Sequence, residues 1–107
     1  MSCRMLLVED DAELREIITD YFREKSGGSF EIETARTGSE GRRKCLENDY
    51  NLILLDVMLP DIDGFSICRE LRKKSDVPVI FITAKHQEND KLHGYHLGCD
   101  DYISKPF

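Results

Sequence analysis

Short apolar runs alternate along the chain with longer segments in which apolar residues recur three and four positions apart. The first pattern is that of a buried strand and the second that of an amphipathic helix, and their alternation from end to end confines the chain to an α/β architecture. The run Leu52-Ile53-Leu54-Leu55 shows no polar alternation, which suits a parallel strand covered by helices on both faces. With 107 residues, 40% of them hydrophobic, the chain encloses one continuous core, and one domain is expected over 1–107.

The order of elements follows from the punctuation. Met5-Leu6-Leu7-Val8 ends in Glu9-Asp10-Asp11, after which Leu14, Ile17, Ile18, Tyr21 and Phe22 fall on one helix face. Gly27-Gly28 breaks that helix before a second strand around Phe30 and Ile32, and Thr37-Gly38-Ser39-Glu40 has the form of a capping box that starts a second helix. The third strand ends at Asp56. A turn with Pro60 and Gly64 leads to a third helix with Ile67, Cys68 and Leu71 inward, then to a fourth strand, Val79–Ile82, that stops at Thr83-Ala84. Leu92, Tyr95 and Leu97 give a weaker fourth helix ended by Gly98, and Tyr102-Ile103 is a short last strand before Ser104-Lys105-Pro106-Phe107.

Parallel strands joined by helical crossovers bind ligands beyond their carboxyl ends, where the strand order reverses. The conspicuous polar residues lie there: Glu9 and Asp10 after the first strand, Asp56 after the third, Thr83 after the fourth, Lys105 after the fifth. In a doubly wound parallel sheet of order 2-1-3-4-5 the first and third strands are neighbours, so Asp10 and Asp56 meet with Glu9 close by. Three carboxylates in one small site repel one another unless a cation joins them, and oxygen-only ligation with water suits Mg2+, for which Mn2+ could substitute. One such carboxylate can attack phosphorus. Asp56, held at the rim by the most buried strand, is the best candidate, with Lys105 to offset a phosphoryl anion and Thr83 to donate a hydroxyl.

Val8-Glu9-Asp10-Asp11, Leu55-Asp56-Val57-Met58-Leu59-Pro60 with Asp63-Gly64, Ile82-Thr83-Ala84, and Gly98 to Phe107 stand in the order of the motifs of a known family. From Leu6 to Phe107 the chain resembles the receiver domains of two-component response regulators, with a flavodoxin-like (CheY-like) five-stranded fold. The Asp100-Asp101-Tyr102 and Lys105-Pro106-Phe107 spelling is most similar to OmpR/PhoB-like transcription factors, in which a winged-helix DNA-binding domain follows. The resemblance implies that Asp56 is the phosphoacceptor, supplied by a histidine kinase, and that the domain catalyses its own phosphorylation and dephosphorylation without being a true enzyme. It implies that Asp10 and Asp56 bind Mg2+ directly, Glu9 through water, and Met58 through its backbone carbonyl. It makes Thr83 and Tyr102 a switch pair, and places Ala84 and Lys105 at the phosphoryl group. Cys99 stands where the family usually has alanine. The sequence stops at Phe107, where family members enter a fifth helix; the expectation is a chain lacking that helix and the DNA-binding domain, which self-associates as a dimer or by exchanging elements to cover the exposed sheet face.

A formal charge of −6 repels nucleic-acid phosphates and anionic lipid, so DNA contact is expected only through the absent domain and no membrane contact is expected. No apolar run spans a bilayer and no leader pattern opens the chain, so a cytoplasmic protein is expected. Cys3, Cys45, Cys68 and Cys99 form no Cys-x-x-Cys pair and are expected to be reduced and structural. Asp11 is read as a helix cap, Pro60 and Gly64 as turn-makers, His93 and His96 as solvated, and Arg42-Arg43-Lys44 as the wet face of the second helix. A phosphohydrolase of the haloacid dehalogenase type would need an aspartate where Met58 stands. A flavin or nucleotide carrier would need a glycine- or hydroxyl-rich loop in place of Glu9-Asp10-Asp11.

Overall fold

The computed structural model describes residues 3–84 and 101–105, with side chains for 3–82. Its elements run β1 (Cys3–Val8), α1 (Ala12–Ser26), β2 (Phe30–Ala35), α2 (Gly38–Glu47), β3 (Leu52–Asp56), α3 (Gly64–Leu71), β4 (Val79–Ala84) and β5 (Asp101–Lys105). All four strand pairings are parallel, and the sheet order is β2-β1-β3-β4-β5, as the sequence pattern implies. The expected fourth helix, its His93 and His96, and Cys99 lie outside the described residues, as does anything beyond β5.

Period-2 geometry divides each central strand between two faces. Met5 and Leu7 join Leu54, Ile82 and Ile18 of α1 in one cluster. Leu6 and Val8 join Ile53, Leu55 and Phe81 in the other, under α2 and α3, where Phe65 and Phe81 pack edge to face with centroids 4.8 Å apart. Both faces of β1 and β3 are therefore dry, which is why their sequences read as unbroken apolar runs. Each fully buried leucine here contributes about 2 kcal/mol relative to an exposed one.

The caps set where the helices begin, and so where the strand ends are left open. The Asp11 carboxylate accepts from the Glu13 and Leu14 amides and starts α1. That helix ends on Gly27, at φ 63°, with Gly28 N–H donating to Arg23 O at 3.1 Å and Gly27 N–H to Glu24 O at 3.3 Å; only glycine adopts that left-handed position without a steric penalty. Thr37 Oγ1 accepts from Glu40 N–H at 3.1 Å, the N-cap half of the capping box expected at α2, while Glu40 Oε1 reaches one residue further back than the box requires and accepts from Arg36 N–H at 3.2 Å.

Three details depart from the periodicity. Leu14, Ile18 and Phe22 of α1 pack on the sheet, but Ile17 and Tyr21 are half-exposed on its outer flank. A helix over one sheet face buries a stripe narrower than five residues require. Arg42 is not simply solvated: its guanidinium makes a two-pronged bond to the Glu70 carboxylate and ties α2 to α3. Lys44 Nζ donates to Thr34 O at 2.9 Å, so the basic run also secures α2 to β2.

Candidate functional site

The carboxyl ends of β1 and β3 lie side by side because Val8 is in register with Leu55. One residue further along each strand stand Glu9 and Asp56, and then Asp10. A carboxylate oxygen from each of Glu9, Asp10 and Asp56 lies within 4.8 Å of the others. Glu9 and Asp56 are buried, at 0% and 2% exposure, while Asp10 is exposed at the rim. The site is thus a shallow acidic cup, with two acids in its floor and one at its lip.

Each acid is held by local structure. Glu9 N–H donates to Ala35 O at 3.0 Å, extending the β1–β2 ladder by one residue, and Glu9 Oε2 accepts from Asp11 N–H at 3.2 Å. Asp56 is the last residue of β3, paired with Ile82. Its Oδ1 accepts from Met58 N–H at 3.1 Å, an Asx-type turn that fixes the carboxylate's rotation. Arg15 Nη1 reaches back from α1 to the carbonyls of Glu9 at 2.9 Å and Asp10 at 3.3 Å.

The segment from Val57 to Asp63 leads from Asp56 to α3. Met58 is 63% exposed, and its side chain belongs to the surface rather than to the acid cluster. Val57 N–H donates to Ile82 O and Gly64 N–H to Val57 O, so this segment is stitched to β4 at its start and to α3 at its end. Asp63 caps α3 through Phe65 N–H at 2.8 Å. Asp61 bonds α2 instead: its carboxylate accepts from Gly38 N–H at 2.7 Å, Ser39 N–H at 2.9 Å and Ser39 Oγ–H at 2.7 Å. Those bonds, the Ser39 hydroxyl first, hold the Asp61 carboxyl down at about 2.

For the other expected site residues the structure gives backbone positions. Thr83 and Ala84 end β4, in register with Ser104 and Lys105 at the end of β5, and Tyr102 pairs with Phe81. Thr83, Ala84 and Lys105 therefore stand at the same sheet edge as Asp56, and Tyr102 sits nearer the middle of its strand. Cys45 and Cys68 are buried, and burial, then the neighbouring Cys68, pushes the Cys45 thiol up to about 12, in keeping with a space-filling rather than nucleophilic role. Sequence reasoning did not single out Arg15 or Asp61. Neither lies in an apolar pattern, and the bonds each makes join positions that no spacing rule pairs.

Residues 5–107 match the response regulator receiver domain family. The chain belongs to that family. It is 40% identical over 104 residues to the transcriptional regulatory protein ResD of Bacillus subtilis, with 97% of this chain covered but 42% of that protein. To the transcriptional regulatory protein SrrA of Staphylococcus aureus it is 40% identical over 107 residues, with 100% of this chain and 43% of that protein covered. This receiver chain thus spans less than half the length of the relatives it matches. Among solved structures, the receiver domain of Francisella response regulator 1452 superposes with TM-score 0.87 at 32% identity, covering 99% of this chain and 86% of that one. The non-phosphorylated HemR receiver domain from Leptospira biflexa gives TM-score 0.87 at 36% identity, covering 99% and 84%. Among the described residues no helix of the receiver is long and apolar enough to cross a membrane.

Proposed function

We propose that this receiver accepts a phosphoryl group on Asp56 from a phosphohistidine of a partner kinase, and that the cup formed by Glu9, Asp10 and Asp56 holds Mg2+ while it does so. The observation that carries the reading is the meeting of three carboxylate oxygens within 4.8 Å on the one sheet edge where β1 and β3 are adjacent. Like charges so close are tolerated when a hard cation is shared between them, and an all-oxygen donor set with room for water fits Mg2+, with Mn2+ an acceptable substitute. Asp10 and Asp56 would ligate directly, Glu9 through water, and Met58 through its carbonyl. Bound there, the ion supplies positive charge against the phosphoryl oxygens.

The chain's own residues do the rest. A carboxylate oxygen of Asp56 forms the new bond to phosphorus as the phosphorus–nitrogen bond to the kinase imidazole breaks, and the bonding pair returns to the ring nitrogen with a proton. The Met58 N–H keeps the Asp56 carboxylate from rotating. Lys105 offsets the phosphoryl charge and Ala84 lends its backbone N–H. Thr83 and Tyr102 form the pair through which the acyl phosphate shifts the population of two conformations. The domain is a regulatory phosphoacceptor that promotes its own labelling and hydrolysis. Its output is transcriptional by likeness to ResD and SrrA, and DNA contact falls to another part of the protein, since a domain of net charge −6 does not gather phosphate backbones.

Acetyl phosphate with Mg2+ tests the assignment without a kinase. Mass spectrometry should show one base-labile, hydroxylamine-sensitive phosphoryl group on Asp56, absent without Mg2+ and absent from Asp56→Asn. Stoichiometric labelling that persists in Asp56→Asn would remove the proposal.

A further inference from the structure

Arg15 is half-buried one turn into α1, and its guanidinium serves neither the sheet nor a carboxylate partner among the described residues. Instead Nη1 donates to two backbone carbonyls, Glu9 O at 2.9 Å and Asp10 O at 3.3 Å. Those carbonyls lie upstream of the helix ladder, whose first bond is Arg15 N–H to Asp11 O at 2.9 Å, so no helical amide reaches them. Glu9 has other anchors, at Ala35 O and at Asp11 N–H. Asp10 does not: the one hydrogen bond to it among the described residues is the bond Arg15 gives its carbonyl. Because a peptide unit is planar, fixing the Glu9 and Asp10 carbonyls sets both ψ angles and therefore the direction in which the exposed Asp10 side chain leaves the backbone. Thr19 Oγ1 in turn donates to Arg15 O at 2.7 Å, a further tie on the turn that carries the guanidinium.

We propose that Arg15 is a positioning residue for the acidic pair: by clamping the Glu9 and Asp10 carbonyls from α1 it aims the Asp10 carboxylate at the cation site, and cation affinity depends on it. The inference rests on the reading of the acidic cup as a Mg2+ site. Its sign separates it from a plain charge effect. A bystander cation near three acids competes with Mg2+, so its removal tightens Mg2+ binding; a clamp that preorganises the ligands loosens binding when it is lost.

The test compares Mg2+ dissociation constants, from amide shifts during titration, for the parent, Arg15→Met and Arg15→Lys. Methionine keeps the apolar stem without donors, and lysine keeps the charge with a single flexible donor group. Arg15→Met should raise the dissociation constant about ten-fold, the usual scale for losing a group that orients a metal ligand, with Arg15→Lys between it and the parent. An unchanged or tighter constant in Arg15→Met, with only a lower melting temperature, overturns the proposal. A second arm uses metal-free protein: hydrogen exchange at the Asp11 amide, which donates to Glu9 Oε2, should quicken in Arg15→Met while the β1 amides hold, and unchanged exchange at that amide overturns the clamp. A parent that binds no Mg2+ would instead sink the reading of the cup, while the exchange arm still decides whether Arg15 holds the loop.

Discussion

A methyl group at Gly64 would lie 2.2 Å from the carbonyl oxygen of Asp56, so the first residue of α3 rests directly on the backbone of the candidate phosphoacceptor. No side chain yields in that contact; the backbone itself must move. Gly64→Ala should therefore lower stability by about 3 kcal/mol, the upper end of overpacking effects, by forcing α3 away from the segment after β3. It should also slow acetyl phosphate labelling of Asp56 under conditions where the variant is still folded. Urea unfolding reads the first effect and mass spectrometry the second; an unshifted urea midpoint would mean that the close approach is not there.

Gly41 makes a second close approach, this time to a side chain. A methyl at Gly41 would meet Val8 Cγ1 at 2.6 Å, and Val8 is the last residue of β1 before the acidic turn. Gly41→Ala gains about 1 kcal/mol of helix propensity but should still destabilise, because α2 must lift off β1. Val8→Ala opens a void and destabilises alone. The double variant should be more stable than the two single losses predict, by a coupling on the order of 1 kcal/mol. Strict additivity in a four-way set of denaturant curves would contradict the packing described.

These two glycines mark the limit of what the residues alone convey. The strand order, the cap at Asp11, the capping box at Thr37 and the meeting of Glu9, Asp10 and Asp56 are written in run lengths, in periodicity and in which residue ends each run. Such signals are one-dimensional and survive without coordinates. Gly64 reads as a turn-maker and Gly41 as an unremarkable helix residue, since a sequence shows which residue lacks a side chain but not what backbone lies where that side chain would be. Asp61 and Arg15 escaped for a related reason: their partners are fixed by how loops fold over helix ends, and no period encodes that. The exposure of Ile17 and Tyr21 on the outer flank of α1 is not written in the spacing, because an apolar residue at helical spacing is only a candidate for burial and the width of the covering surface decides.

If the acid cluster takes up Mg2+ as proposed, the stabilities of the parent and Asp10→Asn should cross between chelator and metal. Without cation, Glu9, Asp10 and Asp56 repel at separations under 4.8 Å, so Asp10→Asn should melt at a higher temperature than the parent in chelator, by an amount on the order of 1 kcal/mol at an effective dielectric near that of a protein surface. Adding Mg2+ to about 100 times its dissociation constant should stabilise the parent by about 2.7 kcal/mol through linkage, and the variant much less. The order of the two melting temperatures should then reverse. Thermal melts of both proteins in chelator and in Mg2+ decide it, and a parent that gains nothing from Mg2+ would argue against a cation site.

Asp61 offers a test in pH. Its carboxylate takes the Gly38 and Ser39 amides and the Ser39 hydroxyl, which lowers its folded-state value from 3.8 to about 2, the Ser39 hydroxyl contributing most. Between those values the unfolded chain binds the proton that the folded chain refuses, so stability rises with pH across that window. The contribution of the tie is whole above about pH 4 and is lost as pH falls through about 2. Asp61→Asn leaves one acceptor oxygen and puts an N–H₂ group where the other stood, so it should be less stable than the parent at neutral pH. That difference should shrink steadily below pH 4, because the parent's Asp61 then protonates while the asparagine does not change. Comparing the two proteins at each pH cancels the carboxylates they share. Urea midpoints that differ by the same amount from neutral pH down to about pH 2 would show that the ionised Asp61 carboxylate is not what binds the start of α2 to the segment after β3.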